Sequence, residues 1–406
     1  MLTVLNVGQN YHLAGGSDRY LLDLGALLET RGHRVIPFAA ESPRNDPSEW
    51  SRYFVRGADF QHPGVVDIAR FVYNRSAGRA IARLTREAKP DLAHLHIYYG
   101  KLTSAILSPL KRAGVPIIQT MHDFKLICPV YSLVSNGRVC EACEGTHYMR
   151  ALPRRCNRGS LARTALSVAE SYVSRALGSW DAVDQFIAVS RFQRDKVVQY
   201  GLPPGRVTTI HNFVSTDSFR PASGVGDYFL YFGRLEAGKG VHTLLSAAAR
   251  VPEVPLLLAG SGSAHDALAR RIEAEGLGHV RLVGFKQGAE LADLVRGSIC
   301  TLLPVHWYEN CPMSILESLA YARPVIGSRM GGIPELVRDG EDGFLVASAD
   351  VDQLADRLRW MADHRAEAAR LGQAGRLKVE RDFHAAGHYE RLLEVYRKVL
   401  PAAALQ

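Results

Sequence analysis

The feature of this sequence that most restricts its fold is a repeated alternation of short aliphatic or β-branched segments with amphipathic stretches of helical length. The short segments predict strands, which in the first half cover residues 2–7, 34–38, 92–96, 116–120 and 185–189. The amphipathic stretches predict helices over residues 17–30, 77–88, 102–111, 161–177 and 191–200, the last with Ser190 as its N-cap. Because strands that alternate with helices are usually parallel, the pattern predicts a parallel sheet covered by helices on both faces.

The pattern pauses at residues 211–227, which are rich in Ser, Pro, Gly and Asp and predict a linker. It then resumes, with strands predicted over residues 228–232, 255–259, 280–283, 300–303, 324–327 and 343–346. Helices are predicted over residues 241–250, 265–275, 289–295, 313–321, 351–362, 365–381 and 385–400. The sequence therefore predicts an α/β protein with two Rossmann-like, doubly wound domains, over residues 1–210 and 228–384, that face a central cleft. Open α/β sheets bind ligands at the carboxyl ends of their strands, so the cleft is the expected site.

Composition excludes several classes of protein. The chain has 406 residues, of which 47% are hydrophobic and 22% charged, which is typical of a globular protein with two domains. It contains no apolar run long enough to cross a bilayer, and residues 1–9 lack the basic start of a signal peptide, so we expect a cytoplasmic protein.

The formal net charge is +8, and a basic patch contributes much of it. Residues 146–169 contain no acidic side chain but five arginines: Arg150, Arg154, Arg155, Arg158 and Arg163. Such a patch attracts phosphate groups, which nucleic acid, an anionic lipid surface or a pyrophosphate-linked substrate could supply, unless it is only a solvated basic face. Because no nucleic-acid-binding motif accompanies it, we expect no nucleic acid partner.

The most informative local segment lies at residues 309–317, where Glu309 and Glu317 stand eight positions apart. Pro312 suits the first position of a helix, with Cys311 as the cap, and the first turn of that helix, with the Ser314 hydroxyl, would bind an anion. One carboxylate then precedes a phosphate-sized site and the other lies beside it, which suits the sugar and ribose hydroxyls of a sugar nucleotide. The alternative interpretation of this segment alone is an ordinary amphipathic helix with surface glutamates.

A second segment, residues 233–240, follows a predicted strand and opens a helix. Gly233 allows close approach of the backbone, and Arg234 and Lys239 bring two positive charges to the turn. Two cations at such a turn suit a diphosphate leaving group, although a solvated strand–helix turn with incidental basic residues has the same composition.

Weaker candidates lie at other predicted strand ends. Gly15 and Gly16 precede the first helix, and His122 ends a strand where it could bind a sugar hydroxyl or shuttle a proton. His94 and His96 end another strand, and we expect them to be structural because no partner is evident from the sequence. Candidate nucleotide contacts in the second domain are Gly262, Phe285 and Lys286.

Four of the six cysteines form a cluster in the sequence with the spacing C-x11-C-x2-C-x12-C: Cys128, Cys140, Cys143 and Cys156. In a cytosolic protein this spacing favours a metal over disulfides, and a structural tetrathiolate zinc site is the sharpest interpretation. Two disulfides or four free thiols are the alternatives. The cluster lies in a segment, at about residues 124–160, that has the character of an insertion and also carries the basic patch.

Taken together, these segments resemble the GT4 family of retaining glycosyltransferases, which have the GT-B fold. The resemblance covers nearly the whole chain in the family's order, through Gly15-Gly16, Lys89-Pro90-Asp91, His122-Asp123, the basic turn at residues 233–240 and the paired glutamates. The last two segments are the specific ones. The resemblance also implies that the final helix, at residues 385–406, returns to the N-terminal domain, which would bind the acceptor.

The resemblance implies a role for each matching position. Glu309 would hold hydroxyls of the donor sugar, Glu317 the ribose, and Arg234 with Lys239 the departing diphosphate. His122 would lie beside the donor sugar. The remaining implied nucleotide contacts are Gly16 and the phosphate cradle formed by Asn310, Cys311, Pro312, Met313 and Ser314. Many relatives have Gly-Phe-Gly where this chain has Asn310-Cys311-Pro312.

The expected reaction is a retaining transfer of a hexose from a UDP- or GDP-linked donor to a glycan or lipid-linked acceptor, without a catalytic metal. Cationic side chains and a helix end can stabilise the charge that develops on the diphosphate. Glu309 could be a covalent nucleophile on chemical grounds, but the resemblance favours same-face attack. It also implies surface polysaccharide or glycolipid synthesis at the inner face of a membrane. A sugar-nucleotide epimerase of the same fold and a non-catalytic sugar-nucleotide-binding protein are the alternatives.

Overall fold

A computed structural model describes residues 1–59 and 64–400 of the chain. Contacts divide these residues into two compact units. Unit 1 contains Met1–Asn136, Cys140–His211 and the described residues from His388 onward, and unit 2 contains Gly137–Val139 and Asn212–Gly387.

Unit 1 is built on a parallel sheet. The strands in the first half of the chain are β1 (Thr3–Val7), β2 (Arg34–Phe38), β3 (Leu92–Leu95), β4 (Ile117–Met121), the short β5 (Val134–Ser135) and β6 (Arg138–Val139), β7 (Gln185–Ala188) and β8 (Val207–Thr209). The sheet has the order β2-β1-β3-β4-β7-β8, and each neighbouring pair is parallel. The sequence did not predict β8, because three residues are too few to show a strand period and only their pairing with β7 makes them a strand.

The helices that cover this sheet are α1 (Gly16–Thr30), α2 (Val65–Val72), α3 (Arg75–Ala88), α4 (Leu107–Arg112), α5 (Leu161–Ala176) and α6 (Arg191–Gln199). Ser190 is the N-cap of α6, and its hydroxyl accepts a hydrogen bond from the Gln193 amide at 3.1 Å. The helix predicted over residues 102–111 begins later, because the φ angle of Thr103 is +62° and an α-helix excludes that angle. The sequence did not predict α2.

Unit 2 has a second parallel sheet. Its strands are β9 (Tyr228–Phe232), β10 (Leu256–Ala259), β11 (Val280–Gly284), β12 (Ser298–Leu303), β13 (Val325–Ser328) and β14 (Gly343–Val346). They lie in the order β11-β10-β9-β12-β13-β14. Leu258 and Leu302 of the sheet are buried in one hydrophobic core with Leu245, which belongs to a helix, and Leu230 and Phe232 are buried in a second cluster.

The helices of unit 2 are α7 (Val241–Ala248), α8 (His265–Ala274), α9 (Gly288–Gly297), α10 (Met313–Ala320), α11 (Ile333–Leu336), α12 (Val351–Asp363) and α13 (Arg365–Asp382). A buried ion pair joins Lys378 of α13 to Asp342, with the ammonium 2.9 Å from the carboxylate and both side chains no more than 5% exposed. The predicted linker begins within the packed part of this unit, since Phe213 is buried and Val214 forms a parallel bridge with His384.

The final helix is α14 (Ala385–Val399). From His388 onward its residues belong to unit 1, where two of them make buried polar contacts. His388 Nε2 lies 3.0 Å from the Tyr20 hydroxyl, and the Tyr396 hydroxyl lies 2.8 Å from His94 Nδ1.

The strand order of unit 2 defines a topological switch point between β9 and β12. The chain leaves β9 toward β10 and β11 on one side, and continues on the other side through β12, β13 and β14. Connections on opposite faces of a parallel sheet open a crevice at the carboxyl ends of two such strands, where ligands of doubly wound proteins bind. The segments that follow β9 and β12 contain Lys239 and Glu309, so the fold itself brings the two most specific sequence motifs together.

Candidate functional site

The loops that follow β9 and β12 are in direct contact in unit 2. The amide of His306 donates a hydrogen bond to the Gly238 carbonyl at 2.8 Å, and His306 Nε2 lies 2.9 Å from the Thr243 hydroxyl at the start of α7. The two loops therefore form one rigid surface at the switch point.

Two glycines make this contact close enough. Gly240 has a φ angle of +74°, and a β-carbon there would lie 1.7 Å from the Pro304 carbonyl oxygen. A β-carbon on Gly238 would lie 2.2 Å from the ring of Trp307. Side chains at these positions would push the β9 loop away from the β12 loop, so the glycines are needed for the approach as well as for the turn.

Lys239 and Glu309 meet at this contact. The Lys239 ammonium lies 2.6 Å from Glu309 Oε1, and the two side chains are 14% and 17% exposed. The Trp307 indole N–H donates to the same carboxylate oxygen at 2.5 Å, and the ammonium lies 5.6 Å from the centre of the Trp307 ring. One carboxylate oxygen is thus held by two donors. Within residues 1–59 and 64–400, no protein donor reaches the other oxygen, Oε2.

The sequence did not single out Trp307. The only indication would have been its position two residues before Glu309, because an aromatic residue in a loop has many other uses. The main chain of Glu309 is held as well, since its carbonyl accepts a hydrogen bond from the Gly332 amide at 2.7 Å. Lys239, Trp307 and Glu309 are together called the Lys-Trp-Glu cluster below.

Arg234 lies in the same β9 loop but differs from Lys239 in its surroundings. Its guanidinium is 65% exposed and lies 3.0 Å from Glu236 Oε1. The carbonyl of Arg234 accepts a hydrogen bond from the buried Tyr231 hydroxyl at 2.6 Å, which fixes the backbone but leaves the long side chain in solvent. Arg234 is therefore a cation that can turn toward a ligand.

The N-cap of α10 differs by one residue from the predicted cap, Cys311. Pro312 is the N-cap and not the first helical residue, because its ψ angle of 121° is extended, so Cys311 lies before the cap. Cys311 is buried, its carbonyl accepts a hydrogen bond from Asn212 Nδ2 at 2.9 Å, and burial raises the pKa of its thiol to about 12. The hydrogen bond from Asn212 to Cys311 therefore fixes the backbone of the loop before α10, and the sequence analysis did not identify Asn212.

The remaining predicted contacts of α10 are placed by its helical geometry. Met313 and Ser314 form the first turn, and Glu317 lies one turn further along on a partly buried face. Asn310 is buried in the loop before the helix.

The predicted nucleotide contacts Gly262, Phe285 and Lys286 follow β10 and β11, which lie on the side of β9 opposite to β12. The loop that contains Gly262 packs against the β9 loop, through hydrogen bonds from the Leu235 amide to the Ser261 carbonyl and from the Ala264 amide to the Leu235 carbonyl, each of 2.9 Å. Phe285 and Lys286 follow β11, two strands away from β9 in the sheet order. Phe285 is exposed, and the Lys286 ammonium pairs with Glu290 at 3.3 Å.

Unit 1 carries the other predicted residues. Gly15 is the N-cap of α1 and Gly16 its first residue. Near this helix start the Asn10 amide donates to Asp18 at 3.2 Å, and the Lys101 ammonium donates to the Asn10 side-chain oxygen at 2.7 Å. This is a polar cluster at the switch point between β1 and β3 of the first sheet.

His122 follows β4 and is partly buried, and burial lowers its pKa to about 3. His94 and His96, which we expect to be structural, both have partners that were not evident from the sequence. His96 Nδ1 lies 3.1 Å from His122 Nε2, and His94 Nε2 lies 2.7 Å from the Thr120 hydroxyl. These contacts join residues of neighbouring strands, so only the sheet order shows them. Burial also raises the pKa of the adjacent Asp123 carboxyl to about 6.

Comparison with known families assigns the chain. The model of Glycosyltransferase Family 4 matches residues 14–218, about half of the chain, and the model described as Glycosyl transferases group 1 matches residues 218–378. The chain belongs to Glycosyltransferase Family 4. The Lys-Trp-Glu cluster of this Family 4 glycosyltransferase falls within the second match, and His94, His96 and His122 fall within the first.

Individual relatives agree with the assignment. Glycogen synthase of Mycobacterium tuberculosis (strain CDC 1551 / Oshkosh) is 26% identical over 398 residues, which cover 91% of this chain and 87% of that protein. Sucrose-phosphate synthase of Thermosynechococcus elongatus superposes with a TM-score of 0.73 at 20% identity, covering 98% of this chain and 99% of that one. Anabaena HepE in complex with UDP superposes with a TM-score of 0.68 at 17% identity, covering 98% and 100%. The predicted GT-B fold of the Family 4 enzyme is confirmed.

The clustered cysteines of the Family 4 enzyme test the zinc prediction. Burial raises the pKa of the Cys143 thiol to about 12, with further contributions from Cys128, Cys156 and Cys140, so the four thiols lie near one another. They form no disulfide. Within the described ranges, however, no group of three His, Cys, Asp or Glu side chains is arranged to hold a metal ion. Structural zinc is therefore still a prediction from the cysteine spacing, because zinc binding itself deprotonates the thiols that it coordinates.

In the described part of the chain, no helix is both long enough and apolar enough to cross a bilayer. The five arginines of the basic patch are exposed, and so are the nearby apolar side chains of Met149 and Leu161.

Proposed function

We propose that this Family 4 enzyme is a retaining, metal-independent glycosyltransferase that moves a hexose from a nucleotide sugar to a glycan or lipid-linked acceptor. The observation that carries the proposal is the Lys-Trp-Glu cluster, which places a desolvated ammonium and an oriented carboxylate side by side at the switch point of unit 2. A nucleotide sugar needs both groups, a cation for the diphosphate and an acceptor for sugar hydroxyls.

Glu309 is suited to binding hydroxyls rather than to covalent attack. Two donors on Oε1 stabilise the negative charge of the carboxylate and so make it a poorer nucleophile. Oε2 can accept a hydrogen bond from a hydroxyl of the donor sugar. This assignment supports same-face attack, in which an oxygen of the donor phosphate takes the proton of the acceptor.

Lys239 can serve the diphosphate without leaving Glu309. An ammonium group has three N–H donors, and the ion pair with Glu309 uses one of the three. The charge that develops on the leaving diphosphate would be stabilised by Lys239, by the exposed Arg234 guanidinium and by the first turn of α10, which together would supply the positive charge that the reaction requires. Glu317 would hold the ribose.

The donor is tested first by binding and then by turnover. A thermal-shift panel of UDP- and GDP-hexoses should reveal the preferred donor, because a ligand at a hundred times its dissociation constant adds about 2.7 kcal/mol of stability. UDP-hexoses come first, since HepE was solved with UDP. The preferred donor is then incubated with candidate acceptors, and the anomeric configuration of the product is read by NMR. An altered sugar nucleotide without transfer, or binding without turnover, would contradict the proposal.

Metal independence has its own test. Full activity is expected after exhaustive treatment with a chelator, because the cations assigned to the diphosphate are side chains. A strict requirement for added Mg²⁺ or Mn²⁺ would contradict this part of the proposal. Glu309→Ala and Lys239→Ala should each nearly abolish turnover in a protein that remains folded, with Arg250→Ala as the control in an exposed ion pair.

The acceptor is proposed to be presented at an anionic membrane surface during polysaccharide or glycolipid synthesis. The basic patch, with exposed Met149 and Leu161 beside it, combines charge and apolar contact, which are the two contributions that hold a protein at such a surface. The enzyme should sediment with phosphatidylglycerol vesicles and not with phosphatidylcholine vesicles. Charge reversal at Arg154 and Arg155 should weaken that binding, and unchanged binding would refute the assignment of the patch.

Structural zinc stays a prediction from the cysteine spacing alone. Elemental analysis of protein purified without chelators decides it, and a stoichiometric zinc content would mean that the thiols ionise and move together when the metal binds. Absence of zinc would leave the free thiols that the structure shows.

A further inference from the structure

Tyr131 of unit 1 has a backbone conformation that is unfavourable for its residue type. Its φ angle is +60°, in the left-handed region, where the β-carbon of an L residue is crowded and bulky side chains are rare. Glycine at this position would remove the strain, because it has no β-carbon. The tyrosine side chain must therefore supply something that glycine would lack.

Two other strained residues of unit 1 show what the fold gains from their side chains. Leu133 has a φ angle of +52° and is 1% exposed, and Thr103 has a φ angle of +62° and accepts hydrogen bonds from two backbone amides. Tyr131 has neither advantage, because it is 57% exposed. Within residues 1–59 and 64–400, no group hydrogen-bonds to its hydroxyl and no aromatic ring packs on its ring. The strain is thus not offset inside the folded chain, and the ring is open to a ligand.

The backbone that carries this ring is held in place. The Tyr131 carbonyl accepts a hydrogen bond from the Phe124 amide at 3.0 Å, and the Tyr131 amide donates to the Cys128 carbonyl at 2.9 Å. In the same loop, the buried Lys125 ammonium donates to the Pro129 carbonyl at 2.8 Å. The loop therefore presents the ring in one position, so that little conformational entropy is lost when a ligand binds to it.

The loop lies at the edge of the sheet where ligands are expected. Phe124, which is hydrogen-bonded to Tyr131, is the third residue after β4, and open parallel sheets bind ligands at the carboxyl ends of their strands. A rigid, exposed tyrosine offers a flat apolar face with a polar tip. A pyranose ring has a face of C–H groups that packs on such a surface and an edge of hydroxyls that stays in water. A lipid surface would gain nothing from a strained and fixed backbone, so a sugar is the favoured ligand.

We propose that Tyr131 is a binding residue for the acceptor, whose ring stacks on a sugar ring of a glycan or of the glycan part of a lipid-linked acceptor. The inference rests on the proposed function for the role of that sugar as an acceptor, but sugar binding at Tyr131 does not depend on transfer. It identifies a sugar ring, and not a lipid chain, as the part of the acceptor that this loop recognises.

Two variants of the full-length protein separate the strain from the ring. Tyr131→Gly removes both, whereas Tyr131→Ala removes the ring and keeps a β-carbon at the same φ angle. Tyr131→Gly should raise the midpoint of thermal unfolding by about 2 °C, because the strain is relieved, and Tyr131→Ala should give no such increase. Leu133→Gly is the control, and it should lower the midpoint because a buried side chain is lost. A midpoint that is lowered in Tyr131→Gly would show that the ring supports the fold, and it would overturn the proposal.

Sugar binding is measured directly by saturation-transfer nuclear magnetic resonance. The probes are oligosaccharides of glucose, galactose, mannose and N-acetylglucosamine. We expect saturation transfer from the wild-type protein to the ring C–H protons of at least one probe, its loss in Tyr131→Gly and Tyr131→Ala, and its retention in Tyr131→Phe, which keeps the stacking face. Tyr172→Ala is the matched control, because Tyr172 is also exposed in unit 1 but its ring packs against Tyr148. No saturation transfer to any probe, or an equal loss in Tyr172→Ala, would overturn the proposal.

Transfer kinetics and vesicle binding distinguish the possible ligands of the ring. Tyr131→Ala should lower kcat/KM for the acceptor about 10-fold, which is the loss expected for one favourable aromatic contact, while the affinity for UDP or GDP stays unchanged. Weaker sedimentation of Tyr131→Ala with phosphatidylglycerol vesicles, with sugar binding unchanged, would assign the ring to a lipid surface and overturn the proposal. A wild-type protein that binds a sugar through Tyr131 but transfers no hexose would contradict the proposed function and leave this binding site standing.

Discussion

Replacing Trp307 with phenylalanine tests the Lys-Trp-Glu cluster with a minimal change. The ring that packs against Gly238 and lies beside the Lys239 ammonium is retained, and only the indole N–H to Glu309 Oε1 is lost. A hydrogen bond to a charged group contributes about 1.5–3 kcal/mol. Because Glu309 is 17% exposed and water can replace part of the lost bond, we expect the lower end of this range.

A loss at that end corresponds to a decrease of about 10-fold in kcat/KM. The affinity for the nucleoside diphosphate alone should change by less than about 3-fold, because Lys239 stays in place and Glu309 is assigned to the sugar. The assay combines steady-state transfer kinetics with calorimetric titration of UDP or GDP, whichever the donor panel selects.

Trp360→Phe is the matched control, since Trp360 is in the same unit but packs on Phe344 and His364. It should keep transfer within about 2-fold of the wild type, as substitutions away from a site usually do. Wild-type kcat/KM in Trp307→Phe, or an equal decrease in Trp360→Phe, would refute the reasoning that the indole N–H holds Glu309. A parallel loss of nucleotide affinity would show that Glu309 and Lys239 act on the same part of the donor.

Three further predictions concern stability. Gly240→Ala should lower the free energy of unfolding by about 3 kcal/mol, because its β-carbon would overlap a carbonyl oxygen. Gly276→Ala is the control, since its φ angle is +63° but the space around it is open, and it should lower the free energy of unfolding by only about 1 kcal/mol. Equal midpoints of the two variants in urea unfolding would contradict this prediction. Lys378→Met should cost about 3–5 kcal/mol in the same urea experiment, since it leaves a buried carboxylate without its cation, and an unchanged midpoint would show that the pair is not needed. Burial lowers the pKa values of His94 and His388 to about 3, so below pH 6.5 the unfolded chain binds protons at these histidines while the folded protein does not. Lowering the pH from 7 to 5 should therefore decrease the free energy of unfolding by about 2 kcal/mol for each of the two residues, and stability is lost as the pH falls from about 6.5 toward 3. An equal midpoint of thermal unfolding at the two pH values would exclude this linkage.

Much of the fold could be predicted because its cause is local. Strands such as β2 and β9 are predicted at their observed bounds, since hydrophobic runs bounded by turn residues are a property of a few neighbouring positions. The elements that were missed have a different origin. The strand β8 is only three residues long and exists because β7 offers it an edge. The N-cap of α10 is Pro312 and not the predicted Cys311, because Pro312 has an extended ψ angle.

The candidate site divides in the same way. Glu309, Lys239 and His122 could be named from the sequence because a charged or titratable side chain beside a strand end is visible in a short motif. Trp307 and Asn6 could not be named, and the contacts of His96 could not be predicted, because they depend on which atoms the folded chain brings together.

Residue types and their local order alone therefore predicted two Rossmann-like domains, a basic glycine turn and a pair of glutamates, and the resemblance of these segments to a known family predicted the glycosyltransferase assignment. Only the tertiary structure shows that the Lys239 ammonium, 70 residues away in the sequence, and the Trp307 indole N–H both donate to the same oxygen of Glu309. It alone also shows that His96 contacts both Asn6 and His122. The physical reason is the order of strands in each sheet. That order brings distant loops to one edge, and it is decided by the packing of the whole domain rather than by any segment of the chain.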